Sequence, residues 1–257
     1  MSLFPALFIG HGSPMNIIED NDYTVHLKKL ANELPRPKAI IVISAHWLTN
    51  GTFVTGEKNP LQIFDFYGFP QKLYEIQYRP TGLPELADQI IELGKEKKIQ
   101  KSLRWGIDHA AWSILYHAFP NADIPVVEIS VDLNQPPAYH YEIGKLLRKL
   151  REEKVLIIGS GNLVHNLYDI DFDSNAMAYN WAIEADEVLK KLLIDLDLEG
   201  LFAFPQKNDL GKKAAPSADH YYPLLYVLGT KSSEEKIRFT YEGIQNGSIS
   251  MRSFIVN

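Results

Sequence analysis

The chain has 257 residues with 26 Lys and Arg, 32 Asp and Glu and no Cys, which gives a formal net charge of -6. The sequence lacks the basic stripe that nucleic-acid binding requires, and without Cys it has neither disulfides nor thiolate metal sites. No apolar run reaches the roughly 18 residues of a membrane span. We therefore expect a cytoplasmic protein of one domain, residues 1–257, that is a monomer or homodimer.

Short β-branched apolar runs alternate with segments of helical period, which is typical of α/β folds. The apolar runs predict strands buried on both faces, as in a central, mostly parallel sheet flanked by helices. The amino-terminal run is interpreted as a first strand because no basic segment of a signal peptide precedes it. The predicted strands are Ala6–Ile9, Ala39–Ser44, Val126–Val131 and Val155–Ile158, with further strands near Val54, near Ile76 and in the tail Ile249–Ile255.

Helical periodicity predicts six helices between these strands. They are Val25–Glu33, Leu83–Lys97, Ala110–Ala118, Tyr139–Glu152, Ala176–Leu196 and Tyr221–Leu228. Residues 56–75 and 200–219 contain Pro and Gly and have weak periodicity, so they are predicted to be long loops. Long loops in a compact domain are often functional.

Histidines follow three of the predicted strands. His11 follows the first in "LFIGHGSPMN", His46 ends "AIIVISAHWL", and His165 follows the glycine-rich turn of "VLIIGSGNLVHNL". Ligands bind beyond the carboxyl ends of the strands in open α/β sheets, so we expect these side chains at one rim. His109 in "WGIDHAAW" and His220 in "PSADHYYPLL" are further candidates. Since imidazole suits iron, zinc, copper and nickel, the pattern favours a mononuclear metal site at this rim.

Three carboxylates deserve separate interpretations. Glu128 lies inside the apolar run "PVVEIS", where a buried carboxylate needs a partner, either as an acid behind the site or in an ion pair. Asp108 and Asp219 each precede a histidine and either orient its imidazole or cap a helix, and we favour capping. The remaining histidines, His26, His117 and His140, are assigned structural or surface roles.

Other motifs are weaker. The "GSGN" of residues 159–162 lacks the fingerprint of a nucleotide-binding loop, and Ser13 lacks the G-x-S-x-G context of a nucleophile. The aromatic stretch "NPLQIFDFYGFPQKLYEIQY" is interpreted either as a lid or wall over a flat apolar ligand, or as a packed surface loop or subunit contact.

Six motifs in a fixed order carry a resemblance that covers nearly the whole chain. They are "FIGHGSPMN", "ISAHW", "DFYGFP", "WGIDHAAWSIL", "GSGNLVHNL" and "ADHYYPLLYVLG". Together they resemble the class III extradiol ring-cleavage dioxygenases, in the branch similar to 4,5-DOPA dioxygenase. The resemblance implies an α/β fold, one non-haem Fe(II) or Zn(II) per chain, and a reaction in which both atoms of O2 enter a catechol ring beside the diol to give a muconic semialdehyde.

The resemblance also implies roles for individual residues. His11, His46 and His220 match the metal ligands, and His165 matches the acid/base histidine, which in the family can also approach the metal. His109 matches a pocket histidine that contacts substrate or oxygen. The expected substrate contacts are Ser13, Tyr67 and His109, and Arg79 or Arg104 is a candidate for binding a substrate carboxylate.

One departure from other class III branches affects the charge of the site. Those branches use two histidines and a carboxylate, the facial triad of Fe(II) oxygenases, whereas His220 supplies a third imidazole here. An all-histidine shell suits zinc and leaves the 2+ charge uncompensated until a catecholate binds. Two alternatives therefore stay open: a zinc-dependent hydrolase that uses the same rim, and a non-catalytic binding protein like the Memo branch of the superfamily.

Overall fold

We describe residues 3–173 and 176–257 of a computed structural model of the chain. These residues form ten strands and nine α-helices. The strands are β1 Ala6–Gly10, β2 Ala39–Leu48, β3 Phe53–Thr55, β4 Gln100–Ser102, β5 Val126–Val131, β6 Val155–Gly161, β7 Ile237–Tyr241, β8 Ile244–Gln245, β9 Ile249–Ser250 and β10 Ser253–Val256. The helices are α1 Asp22–Glu33, α2 Gln71–Tyr74, α3 Pro84–Leu93, α4 His109–Ala118, α5 Pro137–Leu147, α6 Asn180–Asp195, α7 Leu198–Lys207, α8 Asp209–Ala214 and α9 Tyr222–Thr230.

Eight strands form one central sheet in the order β4-β3-β5-β2-β6-β1-β10-β7, while β8 and β9 pair separately. The inner strands β5, β2, β6 and β1 are parallel, and β10 runs antiparallel to β1. The inner apolar runs are buried on both faces because helices cover both sides of the sheet. The predicted fold class, an α/β protein with a mostly parallel central sheet, is confirmed.

Most predicted elements are present, but two predictions were wrong. Ile76 lies in irregular backbone rather than a strand, and its carbonyl accepts a hydrogen bond from the Gln62 side chain. Residues 200–219 are not a long loop, since α7 and α8 occupy most of the segment. Pro205 lies inside α7 and Gly211 lies in α8, and such residues conceal helical periodicity in a sequence.

Three predicted helices are shorter than the periodicity indicated. The helix predicted at Leu83–Lys97 ends at Leu93, where Gly94 follows, and the one at Tyr139–Glu152 ends at Leu147 and continues as a 3-10 turn. The helix predicted from Ala176 begins at Asn180. No helix in residues 3–173 and 176–257 has the length and apolarity needed to cross a membrane.

A glycine contact allows α5 and α9 to pack closely on one face of the sheet. A Cβ atom at Gly144 on α5 would lie 2.1 Å from the carbonyl oxygen of Tyr226 on α9. Only a residue without a side chain permits this approach. The contact seats α9 against the inner strands, so the start of α9 lies next to the carboxyl end of β6.

His140 on α5 makes the stability of the fold depend on pH. The side chain is fully buried, and its Nδ1 lies 3.1 Å from the Tyr226 hydroxyl oxygen. Burial lowers the pKa of His140 from 6.5 to about 4. The unfolded chain therefore binds a proton near pH 6.5 that the folded chain does not bind until about pH 4. The stabilisation is present above pH 6.5 and is lost as the pH falls toward 4.

We expect wild-type protein to lose up to about 3 kcal/mol more unfolding free energy than His140→Gln between pH 7 and pH 4. Urea denaturation of both proteins at each pH measures the difference, and other titrating groups cancel in the comparison. Equal losses in the two proteins would contradict a buried neutral imidazole at this position.

Candidate metal centre

Five histidines converge at the carboxyl ends of the inner strands. His11 follows β1, His46 lies near the end of β2, and His109 begins α4. His165 and His220 follow β6 and precede α9. The ring centroid of His11 lies 5.2 Å from that of His46, 5.8 Å from that of His109 and 5.1 Å from that of His220. The prediction that these separate segments meet at one rim is confirmed.

A serine of β6 determines which nitrogen of His11 faces the cluster. Ser160 Oγ lies 2.6 Å from the carbonyl oxygen of Ala110, so its one hydroxyl proton is donated there. The Nδ1 of His11 lies 3.0 Å from the same Oγ and must act as the donor to it. The lone pair of His11 therefore resides on Nε2, the atom available to a metal.

Asp65 holds two of the histidines with one carboxylate. Its Oδ2 lies 2.9 Å from the Nδ1 of His46 and 2.8 Å from the Nδ1 of His109, and its Oδ1 accepts the backbone N–H of His109. A carboxylate accepts hydrogen bonds, so both imidazoles carry a proton on Nδ1 and have Nε2 as the remaining ring nitrogen for a metal. Sequence analysis missed Asp65 because the stretch "DFYGFP" was examined for its aromatic residues only.

The backbone before α9 brings His220 against β6. The carbonyl of His220 accepts a hydrogen bond from Asn162 N at 2.9 Å, and a Cβ at Gly161 would lie 2.1 Å from that carbonyl oxygen. The glycine-rich turn therefore serves close backbone approach. Asp219 Oδ2 lies 3.3 Å from the Nδ1 of His220. No side chain caps α9, so the capping prediction for Asp219 was wrong.

His165 lies flat against His220. The two ring centroids are 3.5 Å apart with planes inclined by 7°. The backbone N–H of His165 donates to the carbonyl of Ala214, the last residue of α8, so the helix that sequence analysis mistook for a loop positions this side chain. No residue in 3–173 or 176–257 hydrogen-bonds a ring nitrogen of His165.

The spacing of the nitrogens fits a single metal ion. The Nε2 atoms of His46 and His220 are 3.2 Å apart. Two nitrogens bound to one tetrahedral ion at 2.0–2.1 Å are separated by about 3.3 Å. A ligating nitrogen from each of His11, His46 and His109 also lies within 4.8 Å of the others. His11, His46 and His109 thus form one candidate ligand set, and His220 is a further candidate through its short contact with His46.

Burial and neighbouring charges set the protonation of the cluster. Burial, reinforced by the other histidines, lowers the pKa of His11 and His165 well below the ordinary value. Burial also lowers the pKa of His109 and His220. For His46, burial is outweighed by nearby carboxylates, chiefly Asp65, and the pKa is raised. Four of the five imidazoles are therefore neutral near pH 7 and have a lone pair to give.

The two carboxylates behind the histidines remain ionised. Burial raises the pKa of Asp65, but its bonds to His109 and His46 outweigh burial and lower that pKa far below its ordinary value. Asp219 has a lowered pKa for the same reason, through His220. The expectation of an uncompensated 2+ charge was therefore incomplete, because two negative charges lie directly behind the candidate ligands.

A cavity of about 370 Å³ opens over the five histidines. Its volume lies in the range of small-molecule sites. Ser13 and Tyr67 line it, as do Phe66 and Phe69 of the aromatic stretch and Phe172 opposite. Phe66 also packs on Phe64 and Trp112, so this stretch is both a packed loop and a cavity wall.

Several candidate residues lie elsewhere. Arg79 and Arg104 do not line the cavity, so the prediction that one of them binds a substrate carboxylate there finds no support. Glu128 forms no ion pair with any residue in the described part of the chain, and instead accepts hydrogen bonds from Trp105 Nε1 and the backbone N–H of Asp108. Asp108 caps α4 as predicted. The three histidines assigned structural roles, His26, His117 and His140, also lie outside the cavity lining.

Asp65→Asn is expected to weaken metal binding about 10–100-fold, because an amide carries no negative charge and its NH2 group cannot accept the N–H donors that the two carboxylate oxygens accept from His46 and His109. Competition against a chromophoric zinc chelator measures the dissociation constant. Asp123→Asn, which removes an exposed carboxylate paired with Arg36, is the matched control and should bind as wild type does. Unchanged affinity in Asp65→Asn would show that this carboxylate does not support the ligands.

The sheet with a histidine cluster at its carboxyl rim defines an α/β enzyme with a candidate metal centre. The family described as the catalytic LigB subunit of aromatic ring-opening dioxygenase matches residues 5–251. The chain therefore belongs to the class III extradiol ring-cleavage dioxygenase family. It is an extradiol aromatic ring-opening dioxygenase, and members of this family depend on a metal.

Named relatives agree with this assignment. The chain is 44% identical over 255 residues to the 4,5-DOPA dioxygenase extradiol of Escherichia coli K12, covering 97% of this chain and 93% of that one. It is 34% identical to the 4,5-DOPA dioxygenase extradiol of Beta vulgaris, covering 97% and 95%. A crystal structure of an uncharacterized protein from Escherichia coli K12 superposes with a TM-score of 0.86 at 39% identity, covering 99% of this chain and all of that chain.

Proposed function

We propose that the enzyme opens the ring of a DOPA-like catechol with O2 beside the diol and forms a muconic semialdehyde. Both atoms of O2 enter the product, so the reaction needs no further reductant. The relatives named 4,5-DOPA dioxygenase support this substrate class. The observation that carries the proposal is the 3.2 Å separation of the Nε2 atoms of His46 and His220, beneath a cavity walled by aromatic side chains.

His11, His46 and His220 are the proposed ligands of one Fe(II) or Zn(II) per chain. The spacing between His46 and His220 is that of two nitrogens on one ion, which supports His220 as the third ligand. Three ligands leave positions open for the diol and O2. When bound, Fe(II) supplies Lewis acidity and redox chemistry, whereas zinc supplies only Lewis acidity.

The chain's own residues are proposed to handle protons and position the ring. His165 is neutral because of its burial and can accept a proton from a catechol hydroxyl at its free ring nitrogen. His109 keeps Nδ1 bonded to Asp65, so its Nε2 is the atom that contacts substrate or oxygen. The hydroxyl of Ser13 accepts from Met15 N and keeps its proton for the substrate, and the ring of Tyr67 covers the catechol.

Anaerobic loading with Fe(II), followed by O2 and a panel of catechols including DOPA, tests this function. The expected result is oxygen uptake with the yellow absorbance of a ring-opened semialdehyde. The zinc-loaded protein is the control and should not consume oxygen, because zinc has no redox chemistry. Full activity without metal, or no cleavage of any catechol by iron-loaded protein, would reject the proposal. Turnover of an ester or amide without O2 would favour the hydrolase.

A further inference from the structure

A second cavity of about 710 Å³ adjoins the histidine cavity. The two cavities share Ser13, Phe69, Phe172 and Asn246 in their linings, so they meet at these four residues. We call the second compartment the polar annex, and its further lining includes Asn16, Glu19, Asp20, Asn21 and Gln245. A substrate seated over the histidines can extend a substituent from its ring into the annex.

A network of side-chain amides builds one wall of the annex. Asn16 is buried, and its Nδ2 donates to Gln245 Oε1 at 2.9 Å. Asn21 Nδ2 in turn donates to Asn16 Oδ1 at 3.0 Å, and Asn21 also caps α1. These bonds hold the amides in place, so the wall is preorganised for a polar group on the substrate.

Among the described residues, the two adjoining cavities have acidic side chains in their linings without Lys or Arg to balance them. The described residues that line either cavity include no Lys or Arg, whereas Glu19 and Asp20 line the annex. Asp20 is almost fully exposed and lies 3.4 Å from Lys28, so its charge is largely compensated. Glu19 is partly buried, and its carboxylate has only a 3.5 Å contact with Asn21. Glu19 therefore leaves a negative potential that attracts a cation.

The junction of the two cavities also favours a cation. Phe69 and Phe172 line both compartments. The face of an aromatic ring carries negative potential and attracts ammonium groups within about 6 Å of its centre. A carboxylate would gain nothing from these rings and would meet the like charge of Glu19.

We propose that the polar annex binds the side arm of the substrate and selects catechols whose arm ends in an ammonium group over those whose arm ends in a carboxylate. This inference rests on the proposed ring cleavage. Glu19 is the specificity-determining residue, and the amide wall receives the N–H groups that the carboxylate does not bind.

Three catechols test the proposal, each with a two-carbon chain on the ring that ends in an ammonium group, a hydrogen atom or a carboxylate: the 4-(2-aminoethyl), 4-ethyl and 4-(2-carboxyethyl) compounds. DOPA itself does not serve as a probe, because its amino-acid arm carries both an ammonium group and a carboxylate and cannot distinguish a preference for one from a preference for the other. In iron-loaded wild type we expect kcat/KM to be about tenfold higher for the amine than for the acid. In Glu19→Gln this ratio should fall about threefold while the neutral catechol is unaffected. Glu92→Gln, an exposed carboxylate outside both cavities, should keep the wild-type ratio.

A binding measurement separates this inference from the proposed reaction. Dissociation constants of the three catechols, measured without O2 by calorimetry, should show the same order and the same loss in Glu19→Gln. Cleavage of the neutral catechol with equal constants for all three ligands would overturn the annex and leave the reaction intact. A preference for the acid would also overturn it. Lys213→Met would then test Lys213, which lines a neighbouring cavity that shares Ile170 with the histidine cavity. Tightest binding of the amine and weakest binding of the acid, without cleavage of any catechol, would support the annex and reject the reaction.

Discussion

His220→Ala is expected to lose stable metal binding, whereas His109→Ala is expected to retain it. His109 groups with His11 and His46, whereas the Nε2 of His220 lies 3.2 Å from the Nε2 of His46, so the two histidines are alternative third ligands. Removal of a direct ligand weakens binding by more than the roughly 10–100-fold that follows loss of a supporting hydrogen bond. His109→Ala removes only a cavity contact in this scheme.

Metal analysis after anaerobic loading and desalting measures this difference. Both variants need a thermal unfolding profile, since each removes a buried ring and a fold defect would also lower metal content. The reverse result, with metal lost in His109→Ala and kept in His220→Ala, would identify His11, His46 and His109 as the ligands. Equal retention in both variants would mean that the ion does not depend on either as a single ligand.

The fold was predictable where local patterns determine structure. The four inner strands are apolar runs buried on both faces, and such runs have few alternatives in a chain of this length. Failures occurred where tertiary contacts override local signals. α7 contains Pro205 and α8 contains Gly211, and both residue types have low helix propensity. Packing against the rest of the protein therefore stabilises these two helices against their local preference.

The candidate site was predictable to the level of the histidines and no further. His11, His46 and His165 each follow an apolar strand, and the geometry of parallel sheets brings strand ends together. Asp65 has no such signal. It lies 19 residues from His46 and 44 from His109 in sequence, yet contacts both. Ser160 was interpreted only as part of a turn, although its hydroxyl orients His11. Residues that orient the histidines are recognised by their distance from them in the folded protein, and a single sequence gives no such distances.

His165→Ala is expected to lower kcat about 10²–10⁴-fold, the contribution of a positioned general base, while the protein keeps its metal. His165 lines the cavity and stacks on His220. No described residue makes a hydrogen bond to either of its ring nitrogens. Steady-state oxygen uptake by the iron-loaded variant measures kcat. His26→Gln is the matched control, because His26 lies on α1 outside the cavity and should leave kcat unchanged.

The split between binding and turnover separates a proton-transfer role from a ligand role for His165. If His165 only removes a proton, the variant binds a catechol without O2 about as well as wild type and fails in the chemical step, so kcat falls and the dissociation constant changes little. If His165 instead holds the metal, metal content falls together with activity. An unchanged kcat at full metal loading would exclude the base role. The catechol proton would then have to pass to another group in the cavity. His109 is the candidate for that role, because its ring centroid lies 4.1 Å from that of His46.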